Sequence, residues 1–396
     1  MLSFRRFLPV SGLLVAAIAV LFALPLQAQN ASPSLVEVGE LSSVPPPQLE
    51  AKAWLTMDAN SGQIITSHNP NEKIEPASLT KLMSAYLIFN ALEEGQLDLD
   101  QTVHVSETAW KTEGSRMFIN PGSEVTVDDL LQGMIVQSGN DATVALAEAL
   151  AGSESSFAAL MNQEAERQGL TNTYFENSSG LPGEDHLTSA YDLAILARNL
   201  IQDFPQHIHY YSQKEYTYND IKQNNRNRLL WTDSTVDGLK TGHTKSAGYC
   251  LVSTALRDDR RVISIVIGAD SDAARAEYSL KLLNWSFQNF DTIKLFDKDA
   301  PAVQARVWEG EADVVGLGSD QALWVTVPRG KGDDIDPVAQ YTQPLIAPLT
   351  KDDLVGELQV SLDGNVLVKQ DLRVMDNIPE AGFFGRLIDK ARRIFD

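Results

Sequence analysis

The strongest constraint on the fold is a change of hydrophobic period along the chain. Residues 53–67, broken by Asn60-Ser61-Gly62, alternate as a β-hairpin does. From residue 78 the period turns helical, with Leu82, Tyr86, Ile88, Phe89 and Leu92 opening a helix over 78–92. Residues 127–136, 141–150, 156–168 and 189–201 also read as helices, separated by polar loops such as Asn177-Ser178-Ser179-Gly180. After Trp231 the alternation returns. Residues 239–244, 249–256 and 262–268 read as strands, the last two joined by Arg257-Asp258-Asp259-Arg260, and 273–287 reads as a helix. Strands on both sides of a helical block bury their apolar faces best in one sheet, which predicts an α+β, three-layer domain over residues 48–292.

Beyond that point the short alternating runs 303–308, 323–327, 356–362 and 366–368 are punctuated by Gly, Pro and Asp. They predict a small all-β domain over residues 293–381. Residues 382–396 form a separate tail. On a helix, Phe384, Leu387, Ile388, Ala391 and Phe395 fall on one stripe, with Arg386, Lys390 and Arg393 away from it. Fully helical, the tail spans about 22 Å, too short to cross a bilayer. A basic amphipathic helix of this kind suits a membrane surface; the other reading is a tail packed on its own domain.

Arg5 and Arg6, an apolar stretch over 13–24, and Leu26-Gln27-Ala28 make residues 1–28 a signal peptide, and so predict an exported protein. An uncleaved anchor is the alternative, although the apolar core is shorter than the roughly 20 residues of a span. Residues 29–47, with Pro45-Pro46-Pro47, read as an extended lead-in. The formal charge is −21, and becomes −23 once two arginines and no acids leave with residues 1–28. So acidic a surface repels phosphate backbones and argues against nucleic acid. An anionic ligand therefore requires positive charge gathered locally. Cys250 is the only cysteine, which excludes an intramolecular disulfide, and Tyr249, Leu251 and Val252 around it suggest a buried strand. His207 and His209 lack an evident third ligand, so neither a metal nor another cofactor is expected.

Three short motifs carry the chemistry: Ser78-Leu79-Thr80-Lys81, then Ser138-Gly139-Asn140, then Lys240-Thr241-Gly242. Each is weak alone; their order and the elements beneath them give them weight. The spacing of Ser78 and Lys81 puts both side chains on one helical face. A neutral lysine amine can take the serine proton, and burial or a second cation such as Lys240 would keep it neutral. Ser138 and Asn140 fall in a loop between helices, where Ser138 can relay protons and Asn140 can bond a substrate amide. Lys240 can hold an anion, Thr241 can bond a carboxylate, and Gly242 lets substrate approach the strand. The N–H groups of His243 and Ser78 are candidates for an oxyanion hole. Without such a site, Ser78 would be an N-cap, Lys81 a solvated helix residue and residues 240–242 a strand edge.

With these motifs the chain resembles the serine-type D-alanyl-D-alanine carboxypeptidases, the low-molecular-mass penicillin-binding proteins, over nearly its whole length. Gln137-Ser138-Gly139-Asn140-Asp141-Ala142, Gly169-Leu170-Thr171-Asn172-Thr173, Asn225-Arg226-Asn227, Leu229-Leu230-Trp231 and Val236-Asp237-Gly238 before Lys240-Thr241-Gly242-His243-Thr244 agree with the family. The resemblance implies a β-lactamase/DD-peptidase-like fold, an antiparallel sheet with a helical subdomain. It implies Ser78 as acyl-ester nucleophile, Lys81 as proton acceptor, Ser138 in the catalytic relay, Lys240 as a substrate-binding residue and Arg275 near the substrate's terminal carboxylate. A structural ion pair is the other reading of Arg275. Also implied are peptidoglycan pentapeptide as substrate, acylation by β-lactams, and a C-terminal helix holding the protein at the periplasmic face of the inner membrane.

Three alternatives share the motif set. A DD-endopeptidase differs only in pocket shape. A non-catalytic penicillin-binding scaffold would have lost a motif residue, and none is lost. A class A-like β-lactamase needs a glutamate between the second and third motifs. Glu184 lies in that interval without the Asn paired with it in that family, and His186-Leu187-Thr188-Ser189-Ala190-Tyr191-Asp192 better resembles the carboxypeptidase loop.

Overall fold

The computed structural model describes residues 36–394. The expected signal peptide, the start of the lead-in and Phe395 of the tail lie outside the described residues. The alternating segment near residue 53 forms a hairpin of β1 (Ala53–Asp58) and β2 (Ile64–His68), with Gly62 at φ +73° in the turn. The helical block supplies α1 (Lys81–Glu93), α2 (Val127–Ile135), α3 (Asn140–Ala151), α4 (Glu154–Arg167) and α5 (Ala190–Asp203). Then come β3 (Val236–Thr244), β4 (Gly248–Arg257), β5 (Arg260–Ala269) and α6 (Asp272–Asn289). Asp258 and Asp259, at φ +48° and +62°, make the tight β4–β5 turn, a conformation that Asp tolerates better than most residues.

The hairpin and the late strands join in one antiparallel sheet of order β2–β1–β5–β4–β3. Alternation decides its two faces. Ile263, Ile265 and Ile267 of β5 pack with Leu55 and Met57 into the core under the helical subdomain. Val262 and Val266 belong to the clusters that include Leu282, Leu283 and Trp285 of α6. Each of these branched side chains stabilises the layer by about 1.5–3 kcal/mol through burial. α5 covers the opposite face from α6, and their N-caps Ser189 and Ser271 accept from the N–H groups of Asp192 and Ala274. β3, at the sheet edge, is thereby held beside the start of α1.

Two short pairings escape the sequence reading. Thr102–His104 pairs with Glu124–Thr126, and Glu215–Tyr218 with Ile221–Asn224. The expected extended lead-in is interrupted by a 3-10 turn, Val38–Leu41, whose Val38 is fully buried against the α6 side of the core. The first helix also differs: Ala77–Thr80 is a 3-10 turn, and α1 begins only at Lys81.

Phe290–Phe296 follows α6 without a break and pairs with Leu323–Pro328. A six-stranded sheet completes the C-terminal part, with Leu345–Ile346 its one parallel edge partner. Val325, Val327, Val360 and Leu372 share a core with Leu283 and Phe287 of α6, so the two parts do not shed water independently. A polar joint accompanies this contact. The Asp58 carboxylate, buried completely, accepts from Arg260 at 2.9 Å and from Thr292 at 2.5 Å, while Gln63 exchanges hydrogen bonds with the backbone of Thr326.

Replacing Asp58 leaves the nearly buried Arg260 guanidinium uncompensated. Asp58→Ala is expected to lower the unfolding free energy by about 3–5 kcal/mol, read from urea denaturation. A loss below about 1 kcal/mol would mean that this buried pair does not stabilise the fold.

Candidate active site

Ser78 lies in the 3-10 turn, and the residue before it, Ala77, has φ +48°. That left-handed conformation is imposed by what surrounds it. Gly180 backs onto Ala77 so closely that a Cβ there would lie 1.8 Å from the Ala77 carbonyl oxygen. The Thr80 hydroxyl donates to the same oxygen at 2.8 Å and pairs with His186 Nε2 at 2.8 Å. Glu176 N–H donates to His186 Nδ1 at 3.0 Å, so the ring proton sits on Nε2 and is given to Thr80. Burial pushes His186 down to about 4, which keeps the ring neutral in this chain at pH 7.

Lys81, the first residue of α1, is buried, with its Nζ 3.3 Å from Ser78 Oγ. It also donates to Asn140 Oδ1 at 2.7 Å and to the Ser179 carbonyl at 2.5 Å. Asn177 Oδ1 accepts from the N–H groups of Ser179, Gly180 and Leu181, and so folds the loop that presents this carbonyl. Burial first, and the Arg226 charge second, bring Lys81 down to about 7, against the raising effect of Asp141 and Glu154. Both strong partners of Nζ only accept, so a neutral amine spends its two hydrogens on them and turns its lone pair to Ser78.

Lys240 does not supply the cation expected to depress Lys81. It is itself buried and pushed well below the usual lysine range by burial, then by Lys81, Arg226 and Arg275. The cation that lowers Lys81 is instead Arg226. Lys240 Nζ donates to the Thr241 carbonyl at 3.2 Å.

Ser138 links α2 to α3 with φ +64°, held by Gly139 N–H to the Gly133 carbonyl and by Asn140 N–H to the Ser115 carbonyl. Its buried Oγ has no hydrogen-bond partner among the described residues. Asn140, expected to meet substrate, faces inward: its amide nitrogen donates to the Glu113 carbonyl at 2.6 Å while its oxygen holds Lys81.

Ser78 and Ser138 open into a cleft of about 930 Å³ that Thr241, Gly242, His243 and Arg275 also line. A Cβ at Gly242 would come within 3.1 Å of the Pro76 carbonyl and 3.3 Å of Leu79 N, so glycine lets β3 lie against the nucleophile turn. The His243 ring packs on Tyr249 with centroids 4.1 Å apart. Arg275 donates to the Gly242 and Cys250 carbonyls at 3.2 and 3.3 Å and pairs with Asp272, combining a structural ion pair with a place on the cleft wall. Arg116, Arg226 and Arg228 line the cleft too, against one carboxylate, Asp272. Positive charge is thus gathered locally on an acidic chain. Glu184 is exposed and is not among the lining residues; the buried member of its loop is His186.

Every residue singled out from the motifs therefore meets around one cleft or directly behind it. Arg226, Asn177 and His186 were not singled out as functional, although all three stand in quoted segments. Their signal is tertiary: Arg226 and His186 act on Lys81 and Thr80, more than 90 positions away, and Asn177 folds its own loop so that the Ser179 carbonyl reaches the equally distant Lys81.

A buried lysine with its lone pair on a serine, a second serine alongside and a cationic wall define a serine acyl-transfer enzyme. A family profile described as D-alanyl-D-alanine carboxypeptidase matches residues 40–271, and one described as penicillin-binding protein 5, C-terminal domain, matches 290–380. The chain is 43% identical over 355 residues to the D-alanyl-D-alanine carboxypeptidase DacC of Escherichia coli, covering 88% of this chain and 89% of the relative. The structure of penicillin binding protein 5 from Haemophilus influenzae superposes with a TM-score of 0.82 at 40% identity, covering 85% of this chain and all 100% of that one. Penicillin-binding protein D2 of Listeria monocytogenes, solved in an ampicillin-bound form, is 30% identical with a TM-score of 0.57, over 62% of this chain and 100% of that one. The chain belongs to the D-alanyl-D-alanine carboxypeptidase family.

Because Lys81 must be neutral to accept a proton, the acylation rate is expected to fall about tenfold per pH unit below about 7 and to level off above it. Arg226→Ala removes a charge that lowers Lys81, so the midpoint should move to higher pH. Stopped-flow acylation with a fluorescent penicillin measures both, and a flat profile from about pH 5 to 8 contradicts the assignment.

Proposed function

We propose that the protein is a serine D-alanyl-D-alanine carboxypeptidase that releases the terminal D-alanine of peptidoglycan pentapeptides through an acyl-enzyme on Ser78. The observation that carries this reading is the Lys81 amine, held by two acceptors and left with its lone pair toward Ser78. Ser78 Oγ attacks the carbonyl between the two D-alanines as its proton passes to Lys81. The oxyanion is held by the N–H groups of Ser78 and His243, a placement supported by the close fit of Gly242 on the nucleophile turn. The C–N bond breaks as a proton returns to the leaving amine, with the unpartnered Ser138 hydroxyl as relay. Thr241, Lys240, Arg275 and Arg226 receive the terminal carboxylate; Asn140 positions Lys81. Water then hydrolyses the ester. A β-lactam presents a similar carbonyl and carboxylate and is taken as a suicide substrate of the same serine.

Mass spectrometry after penicillin treatment should show one adduct on Ser78, and incubation with a D-Ala-D-Ala pentapeptide should release D-alanine while cross-linked dimers stay intact. Absence of the adduct contradicts the mechanism. An adduct without D-alanine release favours a scaffold, and cleavage of the dimers an endopeptidase.

The proposed location is the periplasmic face of the inner membrane, reached by export and held there by the tail. The helix Phe383–Arg392 turns its apolar residues to solvent: Phe383, Phe384, Leu387 and Ile388 are 68%, 77%, 57% and 51% exposed. Its polar side faces the β domain, where Asp389 accepts from Glu309 N–H at 2.9 Å and Lys390 and Arg393 approach the Glu309 carboxylate at 3.6 and 3.4 Å. An apolar face turned away from the protein supports binding in a lipid interface over packing on the domain. Among the described residues no helix is long and apolar enough to cross a membrane. Deleting residues 382–396 should move the protein from the membrane pellet to the supernatant, and unchanged recovery in the pellet contradicts the anchor.

A further inference from the structure

Phe118 stands on the rim of the Ser78 cleft with 48% of its surface exposed and its backbone at φ +71°. A bulky residue in the left-handed region is an outlier that persists only where its neighbours impose it. Here the neighbour is Asp141, fully buried at the first turn of α3. Its carboxylate accepts from the N–H groups of Met117 at 2.8 Å, Phe118 at 2.9 Å and Ile119 at 3.3 Å. Met117 and Ile119, on either side, are buried in the main core. The chain is therefore pinned before and after Phe118, and the ring between them is turned outward.

An aromatic ring left half in water forfeits burial that a different loop conformation would recover. Three hydrogen bonds to one buried carboxylate work against that recovery. The two walls of the cleft also differ in character. Phe118, Ser138 and one cation, Arg116, come from the helical subdomain, whereas Arg226, Arg228, Thr241 and Arg275 come from the sheet side. A peptide whose terminal carboxylate is taken by the cationic wall still has to lay the rest of its chain along the other.

We infer that Phe118 is a specificity residue: its ring is the apolar platform for the aliphatic part of the acyl-donor chain, N-terminal to the scissile bond. The inference rests on the reading of the cleft as a D-Ala-D-Ala acyl-transfer site. It adds that the enzyme recognises methylene groups in the donor as well as the terminal dipeptide. The exposed phenyl ring would let a cleft with four arginines on its walls favour a long donor over a short one.

The test compares two substrates in the full-length protein. One is diacetyl-L-lysyl-D-alanyl-D-alanine, with two acylated arms on the donor; the other is acetyl-D-alanyl-D-alanine, which lacks the lysyl residue. Phe118→Ala should lower kcat/KM on the lysyl substrate about five- to tenfold and leave the short substrate within about twofold, with Phe118→Leu recovering most of the loss. Because the ring is half exposed, both variants are expected to keep the wild-type melting temperature. Equal losses on both substrates, or no loss on the lysyl substrate, overturn the inference. Failure of the parent reading is distinguishable, since the wild type would then release D-alanine from neither.

Discussion

The site depends on one buried amine. Lys81 lies out of water at the start of a buried helix, and two oxygens that can only accept, Asn140 Oδ1 and the Ser179 carbonyl, fix its orientation. Burial and the Arg226 charge lower the cost of losing its proton until that proton is labile near pH 7. No histidine is then required beside the nucleophile. Removing either acceptor would free the amine to rotate, and removing the burial would return it to an ordinary ammonium.

Around this amine, three non-glycine residues are held in left-handed backbone: Ala77 before the nucleophile, Ser138 at the second motif and Phe118 on the rim. Each is held by buried contacts that its own backbone does not supply. Ala77 is fixed by Thr80, and through it His186, with Gly180 pressed behind; Ser138 by carbonyls of Gly133 and Ser115; Phe118 by Asp141. Strain of this sort is tolerated where it sets the direction of a functional side chain. Asp141 is the clearest case, because the residue that follows the second motif also shapes the lip of the cleft that carries Phe118.

The long-range frame serves the same end. β3 reaches the nucleophile turn only because Gly242 has no side chain to hold it off, and Arg275 ties that strand to β4 through the carbonyls of Gly242 and Cys250. On the far face of the sheet, α6 shares its core with the β domain, and Asp58 with Thr292 and Gln63 with Thr326 add polar ties. The C-terminal helix continues the logic, since Glu309 engages its polar side and leaves the apolar side facing out.

Much of this was legible in the residues alone. Period-2 and helical segments placed the main strands and helices of the catalytic domain to within a few residues, since burial of one face forces that spacing, whereas strands Val314–Gly318 and Ile335–Tyr341 of the β domain were not read. The ordered motifs picked out Ser78, Lys81, Ser138 and Lys240, which the fold brings to one cleft or directly behind it. The short pairings at 102–104 and 215–224 were missed, being too brief to carry a period. The 3-10 turn at Ser78 was missed because Gly180 and His186 impose it across the fold. Composition and motif order determined the chemistry and the layered architecture. Which cation lowers Lys81, which way Asn140 faces and which ring lines the cleft were decided only by the tertiary structure. Charge, burial and backbone strain act through space, and the sequence does not state which distant residues will share it.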